Sequence, residues 1–500
     1  MTWKIFLEFF TKFISRISIT STVSWRDKKC RVRVIFIGLR NMDAGWPHHL
    51  FDVDAEVERL KKELTKIEKQ VENIEFYGWD VVVTEAEGQK LLPELEEADG
   101  ILAIPLTQEF ADGVMTPHPP LLQFADTGKP MIVYTMPFTR YWDQGGILER
   151  IGRVVVVNSS RIDDIIPPLK AMRAVARMKQ IRILLVKDYE YPREYIDPRL
   201  RDSRWMGSSF LKRIKEIFGV EIVRITSREL LEEYELVPTD EAEKLAREII
   251  EKSRGLKEPS REEVIKAAKM YLAIKRLLEK YQCNAFTIDC LTYIRARTLP
   301  VAPCLAISRL NDEGIPSACE ADVFAHLTII ICHTLAERPA FMGDPVLDES
   351  ENKVIIAHCT SPTKFTGYDD EQFPYWIRSH TESWRDVGLE VEFKPSDVTV
   401  LMLLETCTLK AISFPFRVID TKLGECNLLA VKTKLLGSMK HEWGCRTKAV
   451  IQLTEDPEEF KKNFTSEHKI ICYGDWVEQL RFVAKFLGLN FVNRLTLPLD

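Results

Sequence analysis

Residues 31–38 read RVRVIFIG, and residues 52–74 read DVDAEVERLKKELTKIEKQVENI. The first run is β-branched and aromatic, of strand length, and ends in glycine. The second repeats apolar residues every three or four positions, which places them on one helical face. The same alternation recurs in WDVVVT (79–84), GILAIPL (100–106), PMIVYT (130–135) and GRVVVVN (152–158), with helical or loop patterns between. Continuous Val/Ile strands of this kind belong to parallel sheets covered on both faces. They predict a first α/β domain over 31–165.

A second such domain is predicted over 166–349, from IRILLVK (181–187) through VEIVRIT (220–226) and NAFTID (284–289). Within it Ser260 stands three residues before Glu263, the spacing of a capping box at a helix start. From 350 the texture changes. NKVIIAHCT, LEVEFK, DVTVLMLLE, FRVIDTKL, NLLAVKT and KAVIQLT are short strands separated by turns, and WVEQLRFVAKFLG (476–488) is one late helix. The expected fold class is α/β: two tandem doubly wound parallel-sheet domains, followed over 350–500 by a mainly antiparallel, barrel-like β domain.

Composition narrows the function classes. The 500 residues are 45% hydrophobic and 29% charged, with a net charge of −6 and the two signs interspersed. No basic stripe with interleaved aromatics offers a nucleic-acid surface. The first strand ends in the lone Gly38, without the further glycines that bring a backbone close to pyrophosphate, so NAD or FAD use is not expected. Ten of the 11 cysteines follow residue 282, and none forms a C-x-x-C pair. Scattered thiols fit a reducing, cytoplasmic setting and service as small buried hydrophobes.

The extension at 1–30 opens MTWKIFLEFFTKFISRISI. Lys4, Glu8, Lys12 and Arg16 interrupt it every four residues, leaving no uncharged span of the ~18 residues a membrane crossing needs. An amphipathic docking helix is expected, with no stable membrane insertion.

The acids beside the most apolar segments are the chemical signal. Glu320 and Asp322 precede DVFAHLTIIICHTLA, where a helix N-terminus favours acids by itself. Asp344 follows the apolar run PAFM and a glycine, His358 closes KVIIAH, and His468 opens KIICYGD. Each has a turn or cap explanation. Together they offer carboxylates and imidazoles without thiolate, a donor set suited to Mn²⁺ or Mg²⁺. His326 and His333 share one face of the apolar helix and, lacking a third ligand, are expected as satisfied core histidines.

At these residues the chain resembles the L-fucose isomerase/L-arabinose isomerase superfamily, in particular its archaeal L-fucose isomerase-like members. The likeness runs through PCLAISRLNDEGIPSACEADV, PAFMGDPV, VIIAHCTSP, SHTESWRDVGLEVEF, DVTVLML and SEHKIICYGDW. It implies an aldose–ketose isomerase acting on a pentose or a 6-deoxyhexose such as L-fucose through an enediol. It also implies one divalent ion, Mn²⁺ with Mg²⁺ as the alternative, held by Glu320, Asp344 and His468, with both carboxylates catalytic. His358 resembles a metal-ligand histidine of the arabinose-isomerase branch, Arg40 in GLRNMDAG matches a substrate-contacting loop, and both are expected to bind substrate. A trimer or hexamer is implied, the first domain of one copy completing a neighbour's site. The rival reading is a non-catalytic sugar-binding or sensor protein, since tandem α/β domains serve such proteins too.

Overall fold

The computed structural model describes residues 24–41, 45–109, 119–139, 142–188, 207–407, 412–413, 417–418, 423–462 and 468–495. The helix expected near the N-terminus and most of FRVIDTKL lie outside these residues. Among the described residues no helix is long and apolar enough to cross a membrane.

The first sheet contains β1 (Cys30–Ile37), β2 (Ile74–Val82), β3 (Gly100–Pro105), β4 (Met131–Thr135) and β5 (Val154–Asn158), all parallel, in the order β2-β1-β3-β4-β5. Strand alternation sends Val32, Val34 and Phe36 to one face and Ile35 and Ile37 to the other, and each set enters a separate apolar cluster. Helix α1 (Val53–Gln70) covers the first face with Val53, Val57, Leu60, Leu64 and Ile67. Burying each of these side chains contributes about 1.5–3 kcal/mol before entropy is counted. Asp52 caps α1 by accepting from the Ala55 N–H at 3.0 Å. Strand β2 starts at Ile74, ahead of the WDVVVT run, because a bulge at Gly78 and Trp79 (φ 98° and 71°) restores its register against β1.

The second sheet is also parallel: β6 (Arg182–Val186), β7 (Glu221–Ile225), β8 (Ala285–Ile288) and the two-residue β9 (Ser317–Ala318), ordered β7-β6-β8-β9. The capping box forms as expected at α2 (Arg261–Lys280): Ser260 Oγ accepts from the Glu263 N–H and Glu263 accepts from the Ser260 N–H. After β9 comes α3 (Val323–Ala336), buried from Ala325 to Ala336. It packs on both this sheet and the following barrel, which is why it is apolar all round.

The C-terminal unit is a closed antiparallel barrel of six strands. They are β10 (Phe341–Asp348), β11 (Lys353–His358), β12 (Ser396–Cys407), β13 (Leu423–Ser438), β14 (Thr447–Gln452) and β15 (Lys469–Tyr473). The order is β12-β15-β10-β11-β14-β13, and pairing of β12 with β13 closes the ring. Two parallel α/β sheets followed by an antiparallel barrel are the architecture expected from the sequence. Asp344 was expected in the second α/β unit, but its strand pairs with β11 and β15 in the barrel. The two-residue β9 ends the second sheet, and the Phe341–Met342 run pairs with Ile471 and Ile470 of β15 in the barrel.

Candidate functional site

The second sheet delivers the first acids. The loop after β9 holds Glu320 and Ala321 in left-handed conformation, at φ 62° and 53°. Consecutive non-glycine residues there cost about 1–3 kcal/mol each and persist only where surroundings enforce them. The Ala321 N–H bonds to the Ile288 carbonyl at 2.9 Å, tying the loop to the end of β8. Asp322 then caps α3, accepting from the Ala325 N–H at 2.9 Å.

The barrel delivers the rest by register. Gly343 on β10 pairs with Lys469 on β15, so the next position along the ladder sets Asp344 beside His468. Asp344 also pairs with Ala357 on β11, next to His358. The strands approach closely because residue 343 is glycine: a Cβ there would meet the Ala357 carbonyl at 2.8–2.9 Å.

These groups meet. His468 Nε2 is 3.7 Å from Glu320 and 3.6 Å from Asp344, and His358 Nε2 is 3.5 Å from Glu320. The second oxygen of Asp322 accepts from His468 Nδ1 at 2.8 Å, which aims Nε2 at the two carboxylates. Thr360 Oγ1, 2.9 Å from His358 Nδ1, fixes that ring in the same way. The imidazoles are 5% and 2% exposed, against 24% for Glu320 and 49% for Asp344, so buried rings back carboxylates that a ligand can reach.

Burial pulls the His468 imidazole down, but bonded Asp322 and the charges of Glu320 and Asp344 outweigh it and push it up to about 9. The pocket therefore favours positive charge at Nε2. Burial raises the Glu320 carboxyl, yet the hydrogen bond from His358 and the charges of both rings leave it below its ordinary value. At Asp344 burial prevails over the same two rings, and its carboxyl is raised. Asp344, His358 and His468 place donor atoms within 4.8 Å of one another, Glu320 reaches both rings, and this set of carboxylates and imidazoles preferring positive charge fits a divalent cation. Octahedral bonds of about 2.1–2.3 Å hold neighbouring donors about 3.0–3.3 Å apart, a few tenths of an ångström inside the spacing found here.

The structure thus brings together Glu320, Asp344, His358 and His468 from the expected set. Arg40 does not join them: it pairs with Asp54 of α1 at 3.1 Å, exposed to solvent. His326 and His333 are core residues. His326 Nε2 is 2.9 Å from the Pro316 carbonyl, while His333 bonds to Asn311 at 3.1 Å and to the Tyr368 hydroxyl at 2.9 Å. Asp322 is more than a helix-end acid, a second role that no spacing in the sequence signals. Cys319, whose Sγ belongs to one compact group with Glu320 and His358, was also not anticipated.

The fold and these contacts define an α/β protein with a carboxylate–imidazole site where its second sheet meets its barrel. The chain is similar to the sulfoquinovose isomerase of Clostridium sp. (strain MSTE9), at 26% identity over 292 residues, 57% of this chain and 60% of that protein. It is also similar to the sulfoquinovose isomerases of Priestia aryabhattai and Priestia megaterium, at 23% identity over 197 residues, 38% of this chain and 40% of theirs. The matches span three-fifths or less of each relative's length. No protein-family model matches the chain.

Proposed function

We propose that this chain is a divalent-metal-dependent aldose–ketose isomerase acting on an open-chain sugar through an enediol. The observation that carries the reading is the pair of reachable carboxylates, Glu320 and Asp344, converging on one imidazole that Asp322 holds in place. Similarity to sulfoquinovose isomerases supports the same reaction class.

Glu320, Asp344 and His468 would hold the ion, Mn²⁺ or Mg²⁺, with His358 beside them. When bound, the ion supplies Lewis-acid polarisation of the sugar oxygens. The chain's own part is proton management. One carboxylate takes the proton from C2 and returns it to C1, while the other exchanges the hydroxyl proton, and Glu320 and Asp344 share these roles. The buried rings limit water at the reacting face. The substrate class is a pentose or 6-deoxyhexose aldose, including one sulfonated at C6 as in sulfoquinovose.

We assign Arg40 to a neighbouring copy's site in a cytoplasmic trimer or hexamer, since it stands apart from the cluster of its own chain. Light scattering of fully active monomers would overturn that assembly.

The reaction is tested by proton NMR of sulfoquinovose, L-fucose and pentoses in D₂O with Mn²⁺-loaded protein. Chelator-sensitive deuterium at C1 or C2 is expected. Sugar binding without exchange would return the chain to the sensor reading.

A further inference from the structure

A second group of metal-ligating side chains gathers just beyond the strand that ends at His358. Cys359, the residue after that strand, sets its Sγ 3.7 Å from Thr381 Oγ1 in the segment 379–388. There its carbonyl accepts from the Leu389 N–H, and its Cβ lies against Gly388. The donor atoms of Cys359, His380 and Glu382 all fall within 4.8 Å of one another. Cys445, from the turn before β14, stands at the edge of this group, its Sγ 3.4 Å from Glu382 Oε1.

The surroundings are built for ligation. Asp386 accepts from Ser383 Oγ at 3.1 Å, and that hydroxyl lies 3.2 Å from His380 Nδ1. The Ser383 hydroxyl on Nδ1 orients the ring, in the manner of outer partners that orient metal-bound histidines, and sets Nε2 3.0 Å from Glu382, where a cation could replace the proton the two groups share. Trp384 and Asp386 take left-handed backbone conformations, φ 54° and 63°, to form the tight loop. Two hydrogen bonds from the Arg446 guanidinium to Ser379, of 2.8 and 2.7 Å, staple that loop to the segment carrying Cys445. Cys359 and His380 are buried, and Glu382 is half exposed, so an ion has both a fixed base and a way in.

We propose that Cys359, Cys445, His380 and Glu382 form a second metal site, selective for a thiophilic divalent ion such as Zn²⁺. Two thiolates, an imidazole and one carboxylate are a tetrahedral zinc donor set, and bonds of about 2.0–2.3 Å would hold these donors about 3.3–3.8 Å apart. The oxygen-rich cluster at Glu320 instead suits a harder ion. The second ion would pin the 379–388 segment to the barrel directly behind His358.

The test titrates reduced full-length protein with Co²⁺ as a spectroscopic probe, followed by Zn²⁺. A near-ultraviolet thiolate-to-cobalt charge-transfer band is expected, saturating at one equivalent per chain and lost on adding Zn²⁺. Cys359→Ser and Cys445→Ser should abolish it, and His380→Ala should weaken Co²⁺ binding at least tenfold. Glu320→Gln and Cys319→Ser should leave the band intact. Circular dichroism checks folding, and should Cys359→Ser not fold, the partly exposed Cys445 carries the test. Absence of the band, its persistence in Cys445→Ser, or its loss in Cys319→Ser would overturn the proposal. So would a Cys359–Cys445 disulfide in protein kept under reductant with Zn²⁺.

Discussion

Asp322 and His468 stand 146 residues apart in the chain and are joined by a 2.8 Å hydrogen bond. One oxygen of the same carboxylate caps α3 and the other orients the imidazole that faces Glu320 and Asp344. Helix start and site geometry thus hang on one side chain. Burial raises the Asp322 carboxyl, but the bonded His468 and the helix N–H groups leave it lowered, so it acts as a carboxylate in both roles.

Asp322→Asn should separate those roles. Asparagine caps a helix nearly as well as aspartate, so the cap itself should account for less than about 1 kcal/mol of any stability change. Loss of the anionic partner of Nδ1 should weaken Mn²⁺ binding about 10–100-fold, the usual effect of removing such a partner. Metal-dependent thermal shifts read this directly, and unchanged Mn²⁺ dependence would remove Asp322 from the site.

Glu320→Gln and Asp344→Asn should each reduce sugar deuterium exchange by about 10²–10⁴-fold, the range for a positioned acid–base group. Near wild-type exchange in either variant would sink the proton-transfer roles.

Gly343→Ala should act through the backbone. The added methyl would stand 2.8–2.9 Å from the Ala357 carbonyl group, so β10 must move away from β11. Destabilisation of about 1–3 kcal/mol is expected from overpacking. Exchange should fall further than stability, because Asp344 and His358 flank the displaced ladder. Denaturant melts beside exchange rates test the pair of effects.

Acid should weaken the fold through α3. Burial lowers His326 to about 4 and His333 to about 3, from an ordinary value of 6.5. The unfolded chain therefore binds more protons below pH 6.5. Stability from these rings is complete above that pH and is lost as pH falls toward about 4 and then about 3, by about 1.4 kcal/mol per pH unit for each ring. His333→Asn should flatten the slope of stability against pH between pH 6 and 4.

The parallel sheets were legible because their strands are unbroken Val/Ile runs, and β1 declares itself in RVRVIFIG. The barrel strands could be found from alternation, but not their order or their closure, since pairing of β12 with β13 and β15 depends on contacts distant in sequence. Glu320, Asp344 and His468 could be named from the family resemblance. Asp322 was legible only as a cap, because nothing local marks a partner across 146 residues. Cys359, His380, Glu382 and Cys445 lack ligand spacing in the chain, and only the loop stapled by Arg446 assembles them.

By itself the sequence determined the elements and their layers, since apolar periodicity and capping are local properties of neighbouring residues. Tertiary structure decided which acids share a pocket, which oxygen of Asp322 faces His468, and that Asp344 belongs to the barrel. Those outcomes depend on strand register and on the meeting of two domains, where shifting a single ladder by one residue would turn every side chain to the other face.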